Sequence, residues 1–202
     1  MNGESTVVSR CTIGDLLPFP YIYRYTLRKS IVEKAESFGK TISTDGWTAR
    51  QLLAYQAACV AANGDTKAEV HPILFGAAVL YSDNSIEKAY LLKGLEYGCT
   101  ACPVVQLLHE CEKRKHPKLL SPSFCLENGD EYPKAEVIVQ VDQYGVAHAP
   151  FASARALLTE HGYDDVQILV HSEVDGTARV CNASNLCPPP PGAEMLTHDD
   201  FF

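Results

Sequence analysis

Two cysteines three residues apart are the first residues in this sequence whose types and spacing suggest chemistry. Cys99 and Cys102 lie in the stretch EYGCTACPVV, just before an apolar run that begins with Pro103. A Cys-x-x-Cys pair beside a helix start is typical of zinc sites and of redox-active disulfides. Because proline is favoured at the first helical position, we expect a helix to begin directly after Cys102.

Further possible metal ligands follow in the same stretch, at His109, Cys111 and His116. His109 lies seven residues beyond Cys102, which is about 10 Å along a helix that rises 1.5 Å per residue. One ion at about 2.0–2.3 Å from each ligand does not join both ends of that span. We therefore predict no metal and no cofactor here. A metal held by Cys99 and Cys102 with ligands from elsewhere stays an alternative, as does a redox role.

Composition sets limits on the function. The chain has 202 residues, of which 46% are hydrophobic and 21% charged, as in a one-domain globular protein. The net charge of −8 makes a nucleic acid an unlikely partner, because phosphate binding relies on clustered Lys and Arg. No stretch approaches the ~20 apolar residues of a membrane span, and the first residues lack an apolar signal core. We predict a cytoplasmic protein with reduced cysteines.

The pattern of helices and turns divides the chain into three parts. Residues 1–47 form an N-terminal extension with one helix, predicted over 22–38. Residues 48–187 form the main domain, in which 115–134 are a polar insertion loop. Residues 188–202 form a tail that begins with four prolines, which favour an extended chain.

The main domain is predicted to alternate helices and strands. Thr48 and Gln51 form a capping box, which starts a helix that ends at Asn63-Gly64 and is apolar nearly all round. Two strands flank a turn at 82–85, and then come a helix, a strand, a helix and two strands. This order predicts a three-layer α/β/α domain with a mixed five-stranded sheet.

This order and three local stretches resemble the cytidine deaminase family. GAAVL at 76–80 stands where the family has a GAALL strand. YGCTACPV at 97–104 aligns with its YGLTICAER segment, and PFASARALL at 150–158 aligns with its PCGACRQVL segment. The resemblance covers about residues 48–193. It implies the deaminase fold and a dimer or tetramer with sites near subunit contacts.

The departures from the family bear on the function that the resemblance implies. In the family, a first ligand and two later cysteines hold Zn²⁺, and a Glu two residues after the first ligand shuttles protons. Here Cys102 matches the first ligand, but Val104 takes the place of the Glu, and Phe151 and Ala154 take the places of the cysteines. A catalytic zinc needs three protein ligands and a water, so we predict that zinc-dependent deamination is lost.

Cys102 itself suggests a reaction that needs no metal. Unpaired amides and the helix dipole at a helix start stabilise negative charge, which predicts a lowered pKa of Cys102. A thiolate there would attack an acyl group in acyl or aminoacyl transfer. His148 is the first candidate for its base, because the resemblance places it near the junction of the two motifs, and His171 is the second. Alternatively, Cys102 is an inert buried residue.

The resemblance also implies a small-molecule site. Leu91 and Lys93 stand at the places of the family's ribose-contacting Asn and Glu. Arg155 matches an Arg of the family motif and is expected either to hold an anionic group or to make only a helix-end contact. With Tyr97 and Phe151, Lys93 and Arg155 are the predicted substrate-binding residues. Two alternatives to a transferase stay open: a non-catalytic binding or assembly module, and a divergent zinc-dependent nucleoside deaminase.

Overall fold

The computed structural model describes residues 28–94, 99–115 and 132–187 of the chain. Four sequence predictions lie wholly or partly outside these ranges: the start of the N-terminal helix, Tyr97, most of the 115–134 insertion and the 188–202 tail.

The described part of the chain contains four α-helices, six strands and a short 3₁₀ helix at Ala183–Asn185. The helices are α1 (Arg28–Gly39), α2 (Ala49–Ala62), α3 (Pro103–Lys115) and α4 (Ala152–Glu160). The strands are β1 (Phe75–Tyr81), β2 (Ile86–Tyr90), β3 (Ala135–Asp142), β4 (Ala147–His148), β5 (Gln167–His171) and β6 (Ala178–Asn182).

The strands form one mixed sheet in the order β2-β1-β3-β5-β6. β3 runs antiparallel to β1 and parallel to β5, and both edge strands run antiparallel to their neighbours. The predicted order of elements and the mixed α/β architecture are confirmed. The sheet has one strand more than predicted, because the two residues of β4 pair with Gln140 and Val141 at the end of β3.

Each face of the sheet is covered by helices, and β1 shows how the residues divide. Ala77 and Val79 pack on the side of α3 and α4, whereas Ala78 and Leu80 pack on the side of α2. This follows from the alternation of side chains along a strand. The three layers of the domain therefore meet at β1 and β3.

The predicted capping box opens α2. The Thr48 hydroxyl accepts the Gln51 amide at 3.3 Å, and the Gln51 side chain accepts the Thr48 amide at 2.8 Å. Although α2 is apolar nearly all round, it is not buried on every side, because Leu53 and Val60 are 53% and 60% exposed.

Gly76 lets α2 pack tightly on the sheet. A Cβ at this position would lie 2.2 Å from the backbone nitrogen of Ala62. Any side chain here would therefore push the helix away from β1.

Helix α1 adds to the core at one end of the sheet. Ile31 and Ala35 are buried and cluster with Ile73, Phe75 and Leu91. None of the described helices has both the length and the apolar character to cross a membrane.

His171, at the end of β5, lies on the α2 side of the sheet, opposite to Cys102. Its ring lies 5.0 Å from Trp47 and 6.1 Å from Tyr55, and its Nδ1 accepts the amide of Ala147 at 2.8 Å. Because the sheet separates the two residues, the prediction that His171 serves Cys102 as a base is wrong.

His171 is expected to make the fold sensitive to acid. Burial first, and then the nearby His148, lower the pKa of His171 to about 4. The unfolded chain then binds this proton below about pH 6.5, while the folded chain binds it only near pH 4. The stabilising effect of a neutral His171 is complete above pH 6.5 and is lost progressively as the pH falls towards 4, by roughly 3 kcal/mol.

Urea unfolding at a series of pH values measures this loss. We expect His171→Asn, which does not titrate, to lose less free energy of unfolding than the wild type between pH 6.5 and 4. His109→Asn, at an exposed position of α3, is the matched control and should follow the wild type. Equal losses in wild type and His171→Asn would contradict this assignment.

Candidate functional site

The N-termini of α3 and α4 meet at Cys102 and Phe151, as the family resemblance requires. The carbonyl of Cys102 accepts the Gln106 amide at 3.1 Å, so Cys102 caps α3. Phe151 occupies the same N-cap position at the start of α4. A backbone bridge between Leu92 and Ala101 fixes the chain just before Cys102. The two segments predicted to form the site therefore lie side by side.

The thiol of Cys102 is buried between the two helix starts. Burial raises the pKa of Cys102, although the backbone amides of Val105, Val104 and Phe151 favour the thiolate. The predicted lowering of this pKa is therefore wrong. The amides are where the sequence predicted them, but the loss of hydration outweighs their effect.

A cavity of about 370 Å³ opens beside Cys102. This volume is within the range of small-molecule sites. Nine of the described residues border it: Val70, His71, Phe75, Leu91, Lys93, Thr100, Cys102, Phe151 and Ser153.

Two phenylalanines form an aromatic wall of this cavity. The rings of Phe75 and Phe151 lie 5.2 Å apart and meet edge to face at 78°. Edge-to-face contacts of this kind are favourable and leave apolar ring surface at the cavity border. Phe151, predicted to bind substrate, thus borders the cavity in the place where the family has a metal ligand.

Lys93, the second predicted substrate-binding residue on the border, belongs to a buried ion pair. Its Nζ donates to Asp65 Oδ2 at 2.9 Å and to the carbonyl of His71 at 2.7 Å. The side chains of Lys93 and Asp65 are 2% and 0% exposed. A lysine is tolerated at this depth because a carboxylate compensates its charge.

His148 is paired with a carboxylate rather than with Cys102. Its Nε2 lies 2.9 Å from Asp142 Oδ2, and both side chains are buried. The ring packs edge to face against Phe75 at 5.4 Å and does not border the cavity. Its predicted role as a base stays a prediction.

Arg155 is buried in the first turn of α4. Its Nε donates to the carbonyl of Pro150 at 2.7 Å, which fixes the turn before Phe151. Burial lowers the pKa of Arg155. The cavity border does not include this residue, and its predicted role in anion binding stays a prediction.

The remaining family positions carry side chains without metal-binding atoms. Val104 and Ala154 are fully buried in the core next to Cys102. Within the ranges 28–94, 99–115 and 132–187, no three His, Cys, Asp or Glu residues lie close enough together to hold a metal ion. The described donor atoms at this place therefore do not fit a catalytic zinc.

A larger cavity, of about 850 Å³, lies away from the motif residues. It is bordered by Arg50, Tyr81 and Glu136 among others. Arg50 and Glu136 pair at 2.8 Å, and the Tyr81 hydroxyl donates to Glu87 at 2.8 Å. The motif segments border the smaller cavity, which is therefore the candidate site.

Sequence reasoning missed Asp65, His71 and Phe75. Lys93 in a buried segment does signal that a carboxylate must lie nearby. The sequence does not show which carboxylate, because Asp65 lies in a different segment of the chain.

Comparisons with solved structures bear on the fold. The chain resembles the cytidine deaminase of Mycobacterium tuberculosis with a TM-score of 0.52 and 20% identity, over 70% of this chain and 96% of that one. For the enzyme of Burkholderia pseudomallei the TM-score is 0.51 and the identity 19%, over 70% and 98%. For the cytidine deaminase of Bacillus anthracis the TM-score is 0.51 and the identity 12%, over 74% of this chain and 94% of that one.

No protein-family model matches the sequence, and no curated protein matches it. At identities of 20% and below, these similarities establish the fold and not the function. The chain therefore has the cytidine deaminase fold, as the order of its elements and its three motif segments predicted.

Proposed function

We propose that this chain binds a small, flat, mainly apolar molecule in the cavity beside Cys102, and that it does so without zinc-dependent deamination. The observation that carries the proposal is the border of the cavity. Phe75, Leu91 and Phe151 supply apolar surface, and a few polar groups stand among them. Pockets of this composition bind ring-shaped ligands through apolar contact and orient them by the polar groups.

The residues at the family positions support binding rather than hydrolysis. A deaminase needs a carboxylate beside its metal to move protons, and Val104 supplies none. Phe151 and Ala154 supply no thiolates. In this proposal the chain keeps a small-molecule binding site at this place in the fold and lacks the hydrolytic step. The predicted dimer or tetramer stays a prediction.

Ligand titration of a blocked variant tests the proposed site. We expect one-ring aromatic compounds to bind the wild type saturably, as followed by protein-observed NMR. Thr100→Trp places a large side chain at the exposed edge of the border and should weaken this binding at least about tenfold, since the two would compete for the same space.

Thr159→Trp, at an exposed position of α4 outside the border, is the matched control. It should bind as the wild type does. If Thr100→Trp binds as tightly as the control, the ligand sits elsewhere and the proposed site is wrong.

Metal analysis and an activity assay test the loss of deamination. The solved structures that the chain resembles are those of cytidine deaminases, so cytidine is the substrate to offer. We expect purified protein to carry no stoichiometric zinc and to release no ammonia from cytidine, with or without added zinc. One zinc per chain together with zinc-dependent ammonia release would favour a divergent deaminase.

A second candidate function is group transfer by Cys102. The observation that favours it is that three backbone amides surround a thiol on the cavity border. In this reaction the sulfur would bond to an acyl carbon, the leaving group would depart with its electron pair, and the thiol proton would pass to a base. The raised pKa makes this the weaker of the two proposals.

Alkylation distinguishes a reactive Cys102 from an inert one. Because burial raises its pKa, we expect its rate with iodoacetamide to keep rising beyond about pH 8.5, where a free thiol is half ionised. Mass spectrometry of the labelled peptides follows each thiol separately. The exposed Cys99 is the internal comparison and should react faster near pH 7. A Cys102 that outpaces Cys99 near pH 7 would favour the transferase.

A further inference from the structure

The two residues of β4 are held by contacts on both faces of the sheet. On the α2 side, the amide of Ala147 donates to Nδ1 of His171 at 2.8 Å. On the opposite side, Nε2 of His148 lies 2.9 Å from Oδ2 of Asp142, and the His148 ring packs edge to face against Phe75. Because Ala147 and His148 are adjacent in the chain, a change in the hydrogen bond of one displaces the other.

β4 is paired with the rest of the sheet over a very short length. Its register pairs are His148 with Gln140 and Ala147 with Val141. Gln140 is fully buried, and within the described part of the chain neither its amide nitrogen nor its amide oxygen has a hydrogen-bond partner. If β4 separated from β3, water would reach this amide and satisfy it. We therefore expect β4 to open more readily than the long strands of the sheet.

The hydrogen bond between Ala147 and His171 requires a neutral His171 ring. A protonated imidazole carries hydrogen on both nitrogens and accepts no hydrogen bond. The N–H of Ala147 and the new N–H at Nδ1 would then point at each other, so the two groups must separate. Burial, and then the nearby His148, lower the pKa of His171 to about 4, so acid favours any state in which this ring is released to water.

The groups on β3, on β4 and in the segment before α2 affect this protonation in opposite directions. The carboxylate of Asp142 and the backbone of Ser43 favour the charged ring, whereas His148 opposes it. The indole of Trp47, whose ring lies 5.0 Å from His171, carries no charge.

The side chains that α2 and β6 place near His171 stay uncharged in weak acid. Burial raises the pKa of Tyr55 and of Cys59, so both keep their protons. The Tyr55 hydroxyl donates to the carbonyl of Gly145 at 2.8 Å, and this bond does not change in weak acid. On β6, the residue opposite His171 is Ala178. The turn before β4 therefore stays attached to α2 when His171 takes up a proton.

We propose that β4 is an acid-sensitive element: protonation of His171 releases Ala147, and the chain from β4 to Phe151 then separates from β3. His148 and Phe151 both contact the Phe75 ring, with ring centroids 5.4 and 5.2 Å away. The release therefore loosens the aromatic wall of the candidate cavity. This device does not depend on which molecule the cavity binds.

Native-state hydrogen exchange of the wild type tests the release. After correction for intrinsic rates, we expect the Ala147 amide to lose at least about tenfold of its protection between pH 6.5 and 4. Low urea should not alter this exchange, because a local opening exposes little surface. The amides of Ile138 and Val139, in the middle of β3, should exchange faster as urea is added. If Ala147 follows them in urea, the opening is global and the proposal is wrong.

His171→Asn separates the effect of His171 from that of other groups. The Asn oxygen accepts the Ala147 amide and does not titrate, so the protection of Ala147 should change by less than about threefold over the same pH range. His109→Asn, at an exposed position of α3, is the matched control and should behave as the wild type does. A wild-type loss that persists in His171→Asn would assign the titration to another group, such as His148, and overturn the proposal.

Thiol labelling measures whether the release reaches the cavity. A dipyridyl disulfide labels thiols even in acid. We expect the labelling rate of Cys102, divided by that of the exposed Cys99, to rise at least about fivefold from pH 6.5 to 4 in the wild type. The ratio should stay constant in His171→Asn. An unchanged ratio in the wild type would overturn the coupling of β4 to the cavity, whether or not the cavity binds the ring compounds offered to it.

Discussion

The carboxylate of Asp65 joins the chain segments that form the wall of the cavity. Its Oδ2 accepts the amide of Phe75 at 3.1 Å and the ammonium of Lys93 at 2.9 Å, and its Oδ1 accepts the amide of Lys67 at 3.3 Å. The end of α2, the start of β1 and the segment after β2 are thereby held at one buried point. Removing the charge of either ion-pair partner alone would leave the other buried and unpaired, which typically costs about 3–5 kcal/mol.

A second buried carboxylate, Asp142 at the end of β3, is likewise bound by backbone amides and by one basic side chain. Asp142 Oδ1 accepts the amides of Tyr144 and Val146 at 2.9 and 3.1 Å, while Oδ2 lies 2.9 Å from His148. Neither Asp65 nor Asp142 borders the cavity beside Cys102. Both buried acids near the site therefore serve the fold, and neither replaces the proton-shuttling Glu of the deaminases.

Local features of the fold could be predicted from the sequence, whereas the side-chain contacts at the site could not. The capping box of Thr48 and Gln51 depends on residues three apart, and the Gly76 strand is recognisable from a short motif, so both appear as predicted. The pairing of Lys93 with Asp65 depends on segments brought together only by the sheet. No local pattern in the sequence records such a contact, so this ion pair could not be predicted before the fold was known.

The direction predicted for the pKa of Cys102 is wrong for the same reason, because it depends on contacts between segments distant in the sequence. These contacts also hold the two helix starts together. Position at a helix start is local information, but burial depends on how α4 packs against α3. In the deaminases one ion takes ligands from both motifs and thereby ties the two helices. Here the Phe151 amide approaches the Cys102 sulfur, and the Phe151 ring packs against Phe75. A junction held by such contacts needs no charged centre, so burial of a neutral thiol is compatible with it. The packing that buries the thiol raises the pKa of Cys102, although the Phe151 amide itself favours the thiolate. This balance is the physical argument for proposing a binding site here rather than a reactive thiol.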